Sequence, residues 1–129
     1  MSELNNYLLD LIGKLIIENV RDRALDISMG IVNQTTINPV DLNYYSVLSE
    51  LEVEEKEKVC DLLSATITDT IYRFLEMFEE YDELLKLCIK YNGNEYDMTK
   101  ISEKMGSEIA SYEDDGWIQK FSKIGRFVL

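Results

Sequence analysis

The longest amphipathic stretch of the chain is the feature that most constrains its fold. From Glu54 to about Tyr81, apolar residues recur at every third or fourth position, which is the repeat that lines side chains along one side of an α-helix. This stripe comprises Val59, Leu63, Ile67, Ile71, Phe74 and Phe78, and it is widened by Leu62 and Leu75. The pattern predicts a long central helix, and a chain of 129 residues has room for one core around it.

An earlier helical pattern occupies the start of the chain. Ser2 can cap this helix, and apolar residues follow at helical spacing over its whole length. Without a break the helix would end near Gly30 and be about 40 Å long, which exceeds the width of so small a domain. We therefore expect a kink or break near Gly13 or Asn19.

A second helix is predicted after a polar segment. Asn38 and Pro39 are residue types preferred at the N-cap and at the first helical position. Apolar residues then follow at helical spacing: Val40, Tyr44, Val47, Leu48 and Leu51. We expect these residues to form a second apolar helix face.

The sequence Asn92-Gly93 predicts a two-residue hairpin turn, because it lies between two short segments of alternating residues. The turn sets the register in which the two strands pair. It places Ile89 opposite Tyr96 and Leu87 opposite Met98 on an apolar face, with Lys90 opposite Glu95 and Cys88 opposite Asp97 on a charged face. The apolar face is expected to pack on helices, since an isolated hairpin is marginal in water.

Two more helices are predicted after the hairpin. Thr99 can cap a fourth helix that runs to about Glu113, with its apolar face formed by Ile101, Met105, Ile109 and Tyr112. Asp115 can cap a short final helix that begins with Trp117. Trp117 either anchors this helix to the core or is an exposed residue at an interface.

These patterns together predict a mainly α (α+β) fold. We expect four to five helices around the long central helix, with one β-hairpin at about residues 86–98 inserted before the C-terminal helices. Residues 1–129 are expected to form a single helical domain.

Composition excludes several classes of function. The chain has no histidine, which removes histidine-based catalytic triads and nearly all standard zinc and non-haem iron sites. Its net charge is −12, from 25 acidic and 13 basic residues, so it repels nucleic acids and anionic membrane surfaces. Cys60 and Cys88 lack the spacing of a metal or redox motif, and no leader or membrane span is recognisable, so we expect free thiols and a cytoplasmic location.

The negative charge is concentrated on the central helix. Residues 50–83 hold 12 acidic and 3 basic residues, a net charge of −9. Acidic residues near the C-terminal end of a helix are repelled by its dipole, so the cluster there lowers local stability. We predict that this cluster binds a partner, together with Trp117; its members are Glu76, Glu79, Glu80, Asp82 and Glu83.

Four carboxylates resemble a metal-binding motif. Glu52 and Glu55, followed by Glu79 and Asp82, resemble the ExxE and ExxD pairs of the MazG-like and dUTPase-like all-helical nucleotide pyrophosphohydrolases. That resemblance implies Mg²⁺ held between antiparallel helices. In this sequence both pairs lie on one predicted helix, about 36 Å apart at 1.5 Å per residue, unless the helix breaks at its threonine-rich centre.

The sequence favours a non-catalytic protein-binding module of a bacterial type, with no catalytic residues, metal ligands or cofactor. Its acidity suggests an immunity- or antitoxin-type inhibitor of a basic protein partner, because toxins that act on nucleic acid are basic. The alternatives are a Mg²⁺-dependent pyrophosphohydrolase-like enzyme and a structural subunit. The sequence leaves the oligomeric state open, and a homo-oligomer is compatible with it.

Overall fold

A computed structural model describes residues 2–110 and 115–125 of the chain. The fold is mainly α with a small β part, as predicted. The α-helices are α1 (Glu3–Ile16), α2 (Asp22–Val32), α3 (Pro39–Tyr44), α4 (Val53–Glu80), α5 (Met98–Ile101) and α6 (Trp117–Phe121). A π-helical turn at Ile17–Arg21 joins α1 to α2, and 3₁₀ turns occupy Ser46–Glu50 and Met105–Glu108. Strands β1 (Cys88–Tyr91) and β2 (Asn94–Asp97) form an antiparallel hairpin between α4 and α5.

The hydrophobic core lies where α1 and the C-terminal half of α4 meet the segments after the hairpin. Its buried members are Leu8, Leu9, Ile17, Ile71, Leu75, Met98, Ile101, Met105, Ile109, Trp117 and Ile118. The core therefore joins the first helix of the chain to its last, with α4 between them.

The predicted start of the first helix is confirmed, and near Asn19 its α-helical geometry changes to π-helical without a break in the helical backbone. The Ser2 hydroxyl accepts a hydrogen bond from the Asn5 N–H at 3.0 Å, which caps α1. The π-helical turn includes Asn19, one of the two predicted positions for a break. α2 then continues to Val32, two residues beyond the predicted end, and Gln34 takes the positive φ of 57° after it.

The long central helix is confirmed as α4, which runs without interruption for 28 residues. Its N-terminus carries a capping box, in which the Glu55 carboxylate accepts a hydrogen bond from the Glu52 N–H at 2.8 Å. The buried face differs from the predicted stripe, because Phe74 and Leu62 are 55% and 66% exposed. The residues that it buries are Cys60, Ser64, Ile71, Leu75 and Phe78.

The predicted second helix is only partly present. The Asn38 side chain accepts a hydrogen bond from the Val40 N–H at 2.9 Å, and Pro39 occupies the first turn, as predicted. However, α3 ends at Tyr44, and no residue of α3 or of the following 3₁₀ turn is buried. The apolar residues of this segment therefore do not form a buried face.

The hairpin has the predicted register. Ile89 pairs with Tyr96, and Lys90 pairs with Glu95. Asn92 and Gly93 have φ values of 50° and 81°, the positive values that a type I′ turn requires at both central positions. Ile89 and Tyr96 pack against the core, which explains how this short hairpin is held.

The predicted fourth helix, Thr99 to about Glu113, is wrong in its length and its cap. α5 ends at Ile101, and the Asp97 carboxylate caps it by accepting hydrogen bonds from the N–H and hydroxyl of Thr99. The chain then forms the 3₁₀ turn against α4, where a side chain at Gly106 would lie 2.7 Å from the Tyr72 ring. Close packing on α4 thus overrides the helical repeat, and the predicted residues 111–113 lie outside the described ranges.

The final helix is confirmed as α6, although Gly116 and not Asp115 is its N-cap. Trp117 is 1% exposed, and its ring lies directly on Gly13 of α1, with no space for a β-carbon between them. This contact confirms that Trp117 anchors α6 to the core. The predicted alternative, an exposed interface residue, is wrong because the ring is enclosed.

We expect Gly13→Ala to destabilise the protein by about 1–3 kcal/mol, since the added methyl group overpacks the Trp117 contact. Urea denaturation monitored by Trp117 fluorescence measures this change. Gly30→Ala is the matched control, because its β-carbon would lie 3.8 Å from the nearest atom and replacing a helical glycine stabilises by about 0.5–1 kcal/mol. Equal changes in the free energy of unfolding for the two substitutions would contradict the close contact between Gly13 and Trp117.

A buried ionic network also ties α2 to the residues that follow α6. Arg21 is fully buried, and its guanidinium donates hydrogen bonds to Asp22 at 2.9 Å, to Ser122 at 2.9 Å and to Ser64 of α4 at 3.2 Å. Asp22 also accepts hydrogen bonds from the Ser122 hydroxyl at 2.7 Å and the Lys123 N–H at 2.8 Å. Burial alone raises the pKa of Asp22, but the hydrogen bonds from Ser122 and Lys123 and the contact with Arg21 outweigh it, so the pKa is lowered.

Asp22→Asn should destabilise the protein at neutral pH by about 3 kcal/mol, because removing one partner of a buried ion pair leaves the other charge poorly compensated. The folded-state pKa of Asp22 lies below its ordinary value of 3.8, so its contribution is complete above that pH and is lost as pH falls through the folded-state value. The stability difference between the parent and Asp22→Asn should therefore shrink in strong acid. Denaturation curves from pH 7 downward measure it, and a difference independent of pH would contradict this assignment.

Candidate protein-binding surface

The C-terminal turn of α4 and the turn after it form the surface where the predicted acidic residues lie. We call residues 76–85 the acidic end. α4 ends with Tyr81 as its C-cap, and the N–H groups of Leu84 and Leu85 both donate to the Tyr81 carbonyl oxygen at 2.9 Å. This tight turn keeps Asp82 and Glu83 close to the helix terminus.

A cleft of about 400 Å³ lies between the acidic end, the base of the hairpin and α5. Its lining comprises Glu79, Asp82, Glu83, Lys86, Asp97, Thr99, Lys100 and Glu103. Five carboxylates and two ammonium groups thus share one concave surface. Asp97 and Glu103 were not among the predicted site residues, although the predicted hairpin register already returns Asp97 towards the end of α4.

Two of the predicted site residues have structural partners. The Glu79 carboxylate accepts a hydrogen bond from the N–H of Met105, and Met105 is the first residue of the 3₁₀ turn after α5. The Glu76 carboxylate interacts with the Tyr72 hydroxyl, and this interaction together with the Glu76 charge raises the pKa of Tyr72. The Glu79 carboxylate therefore helps to hold the 3₁₀ turn on α4 and is not simply a free surface charge.

The other three acidic residues predicted for the site are exposed and form no salt bridge within the described part of the chain. They are Glu80, Asp82 and Glu83. No basic residue lies in the last turn of α4, so their charges add to the negative end of the helix dipole. Negative charge therefore predominates at the acidic end, although Lys86 and Lys100 line the same cleft.

Apolar side chains lie exposed among these charges. Tyr81 is 53% exposed, Leu84 is 81% exposed and Leu85 is 37% exposed. Phe74, which precedes the acidic end on α4, is 55% exposed and packs edge-on against Phe78. Exposed aromatic and aliphatic groups within a charged rim are the composition of protein-binding surfaces. Trp117, by contrast, lies in the core and contributes nothing to this surface.

The structure does not bring together the carboxylates that resemble the pyrophosphohydrolase motif. Glu52 and Glu55 lie at the N-terminus of α4, while Glu79 and Asp82 lie at and just beyond its other end. The unbroken helix separates Glu55 from Glu79 by about 36 Å. Within the described residues, no group of three or more acidic or cysteine side chains is arranged to hold a metal ion.

Comparisons with protein-family models, with curated proteins and with solved structures find no match to this chain. No helix in the described ranges is both long enough and apolar enough to cross a membrane.

Two neighbouring glutamates should respond to substitution in opposite directions. We expect Glu79→Ala to destabilise the protein by about 1.5–3 kcal/mol, because it removes a charged acceptor from the Met105 N–H. Glu80→Ala should stabilise it by about 0.3–1 kcal/mol at low salt, because it removes an exposed negative charge from the helix C-terminus. Thermal unfolding measures the stability of both variants. If both substitutions destabilised the protein, the distinction between the hydrogen-bonded Glu79 and the exposed Glu80 would be contradicted.

Proposed function

We propose that the protein is a non-catalytic module that binds a basic protein partner through the acidic end of α4. The observation that carries this proposal is the group of exposed carboxylates without salt bridges at Glu80, Asp82 and Glu83, placed around exposed apolar side chains. This combination supplies both long-range attraction and a contact area that excludes water.

The charges would act mainly on the rate of association. An acidic surface attracts a positively charged partner over a Debye length of about 8 Å at physiological ionic strength and orients it before contact. Charge at the rim of an interface changes the association rate more than the dissociation rate. The helix dipole reinforces this field, because the negative end of α4 points to the same surface.

The apolar residues would slow the dissociation of the complex. Tyr81 and Leu84 have the size and exposure of interface anchors, and they lie between the acidic side chains in sequence. Burial of two such side chains in a partner contributes about 1.5–3 kcal/mol for each. On this surface, the acidic side chains would therefore speed association, and the apolar side chains would slow dissociation.

We further propose that the partner is a basic protein that acts on nucleic acid, and that this chain inhibits it as immunity and antitoxin proteins do. A protein that binds phosphate backbones presents clustered lysine and arginine. An acidic surface of this kind competes for that cluster by charge complementarity. The net charge of −12 supports such a partner and disfavours nucleic acid itself.

The binding surface is tested with matched charge reversals at the two ends of α4. Glu80→Lys with Glu83→Lys alters the acidic end, whereas Glu50→Lys with Glu54→Lys makes the same charge change near the other end; all four residues are exposed. The parent protein and both variants are immobilised and exposed to a cell extract, and the retained partner is purified. We expect the partner to associate at least about 10-fold more slowly with the first variant at low salt and nearly normally with the second.

Salt dependence and inhibition complete this test. Association of the purified partner should slow steeply with added salt, while dissociation changes little. Co-expression should relieve any toxicity or nuclease activity of that partner, and the first variant should relieve it less. If both variants slowed association equally, the acidic residues would serve only solubility. A partner that is neither toxic nor enzymatically active would contradict the inhibitor assignment.

A further inference from the structure

The Asn92-Gly93 turn of the hairpin carries a chemistry that the proposed function does not use. Asn92 is the only asparagine of the chain that precedes a glycine. Both residues are exposed. Within the described part of the chain, no atom beyond the two neighbours of Gly93 lies within 4 Å of the place where its β-carbon would be. The Gly93 nitrogen is therefore sterically open to the side chain of Asn92, because glycine has no β-carbon of its own.

An asparagine beside an unhindered backbone amide loses its side-chain nitrogen without an enzyme. The Gly93 nitrogen gives up its proton to a base in the solvent and attacks Cγ of Asn92. The new C–N bond closes a five-membered succinimide ring, the bond between Cγ and Nδ2 breaks, and ammonia leaves with a proton from the solvent. Water then opens the ring. Cleavage of the bond from Cγ to the ring nitrogen gives aspartate, and cleavage of the bond from the backbone carbonyl carbon to that nitrogen gives isoaspartate.

The closed turn holds Asn92 away from this reaction. The φ of Asn92 is 50°, and the first central residue of a type I′ turn has a ψ of about +30°. At that ψ, the β-carbon of an L-residue points nearly opposite to the next backbone nitrogen, so Cγ cannot reach the Gly93 nitrogen. Ring closure needs a rotation of ψ that takes Asn92 out of the turn. The reaction therefore requires the hairpin to open.

The hairpin has few contacts that resist such opening. Each strand has four residues, and neither strand contains a fully buried residue. The contacts with the core come from half-buried side chains such as Ile89 and Tyr96. Tyr91 adds a ring contact with Tyr7 of α1, at 5.6 Å between the ring centres. A two-stranded hairpin with so little buried surface is among the first parts of a fold to open locally.

An isoaspartate at position 92 prevents the hairpin from closing again. Its backbone runs through the former side chain and so contains one extra atom before Gly93. A type I′ turn requires two residues of ordinary backbone with positive φ, as Asn92 and Gly93 have before the reaction. Because the turn sets the register, the extra atom also disrupts the pairing of Ile89 with Tyr96.

We propose that Asn92 is a site of spontaneous deamidation, that opening of the hairpin gates the reaction, and that the isoaspartyl product holds the hairpin open. The reaction consumes one water molecule, releases one ammonia and adds one negative charge. It gives the protein a one-way conformational change that needs no partner. The base of the hairpin contributes Lys86 and Asp97 to the cleft beside the acidic end, so the change reaches that surface.

The test measures the rate of conversion in the full chain, incubated in neutral buffer and then analysed by mass spectrometry. Cleavage after Lys90 and Lys100 releases one peptide that contains both Asn92 and Asn94. Asn94 precedes a glutamate and is the internal reference, so we expect conversion at Asn92 and none at Asn94 over the same period. An isoaspartyl methyltransferase with S-adenosylmethionine identifies the isoaspartyl product.

The gate is tested by loosening the hairpin at a distance from the reacting residues. Ile89→Ala removes a contact with the core and should raise the conversion rate about 10-fold, because the open form becomes more populated. Leu62→Ala is the matched control, since Leu62 is 66% exposed on α4, and it should leave the rate unchanged. In guanidinium chloride the parent and Ile89→Ala should convert equally fast, because both chains are then unfolded.

Asn92→Gly removes the reacting amide and keeps the turn, because Gly-Gly also forms a type I′ turn. This variant should release no ammonia and retain the hairpin. In the purified isoaspartyl protein, the NMR contacts between Ile89 and Tyr96 should be lost. Equal conversion rates of the folded parent and Ile89→Ala, or conversion of Asn94 as fast as Asn92, would overturn the gated site. An isoaspartyl product that keeps the contacts between Ile89 and Tyr96 would overturn the one-way change.

Discussion

The buried guanidinium of Arg21 is the constraint on which the assembly of this chain depends. A charge without exposure to water is tolerated only with several polar partners, and Arg21 draws them from distant parts of the sequence. Asp22 is its neighbour, Ser64 lies on α4, and Ser122 follows α6. Satisfying one charge therefore fixes where the first helices, the central helix and the end of the described chain meet.

The contact between Trp117 and Gly13 completes this arrangement from the apolar side. α6 is only five residues long, too short to be stable without tertiary contacts. The enclosed indole holds its first residue against α1, and the Asp22 hydrogen bonds to Ser122 and Lys123 hold the chain just beyond its last. A polar network and an aromatic contact thus hold the two ends of the same short helix.

Sequence reasoning worked where a local rule acts alone, and failed where tertiary packing decides. The caps at Ser2 and Asn38 and the turn at Asn92-Gly93 each follow from nearby residues. The predicted fourth helix failed because the chain after α5 packs closely on α4, a contact between residues far apart in sequence. The same limit applies to the acidic end, where the cluster was visible in the sequence but the hydrogen bond from Met105 to Glu79 was not.

The π-helical turn contributes residues to both the apolar core and the buried ionic network. Ile17 and Arg21 are both fully buried, one in the apolar core and one in the ionic network, and both belong to this turn. A regular helix would rotate α2 by about 100° relative to α1, because it would accommodate one residue fewer. That rotation would move Asp22 away from Ser122 and Lys123, so the buried ionic network depends on this local distortion.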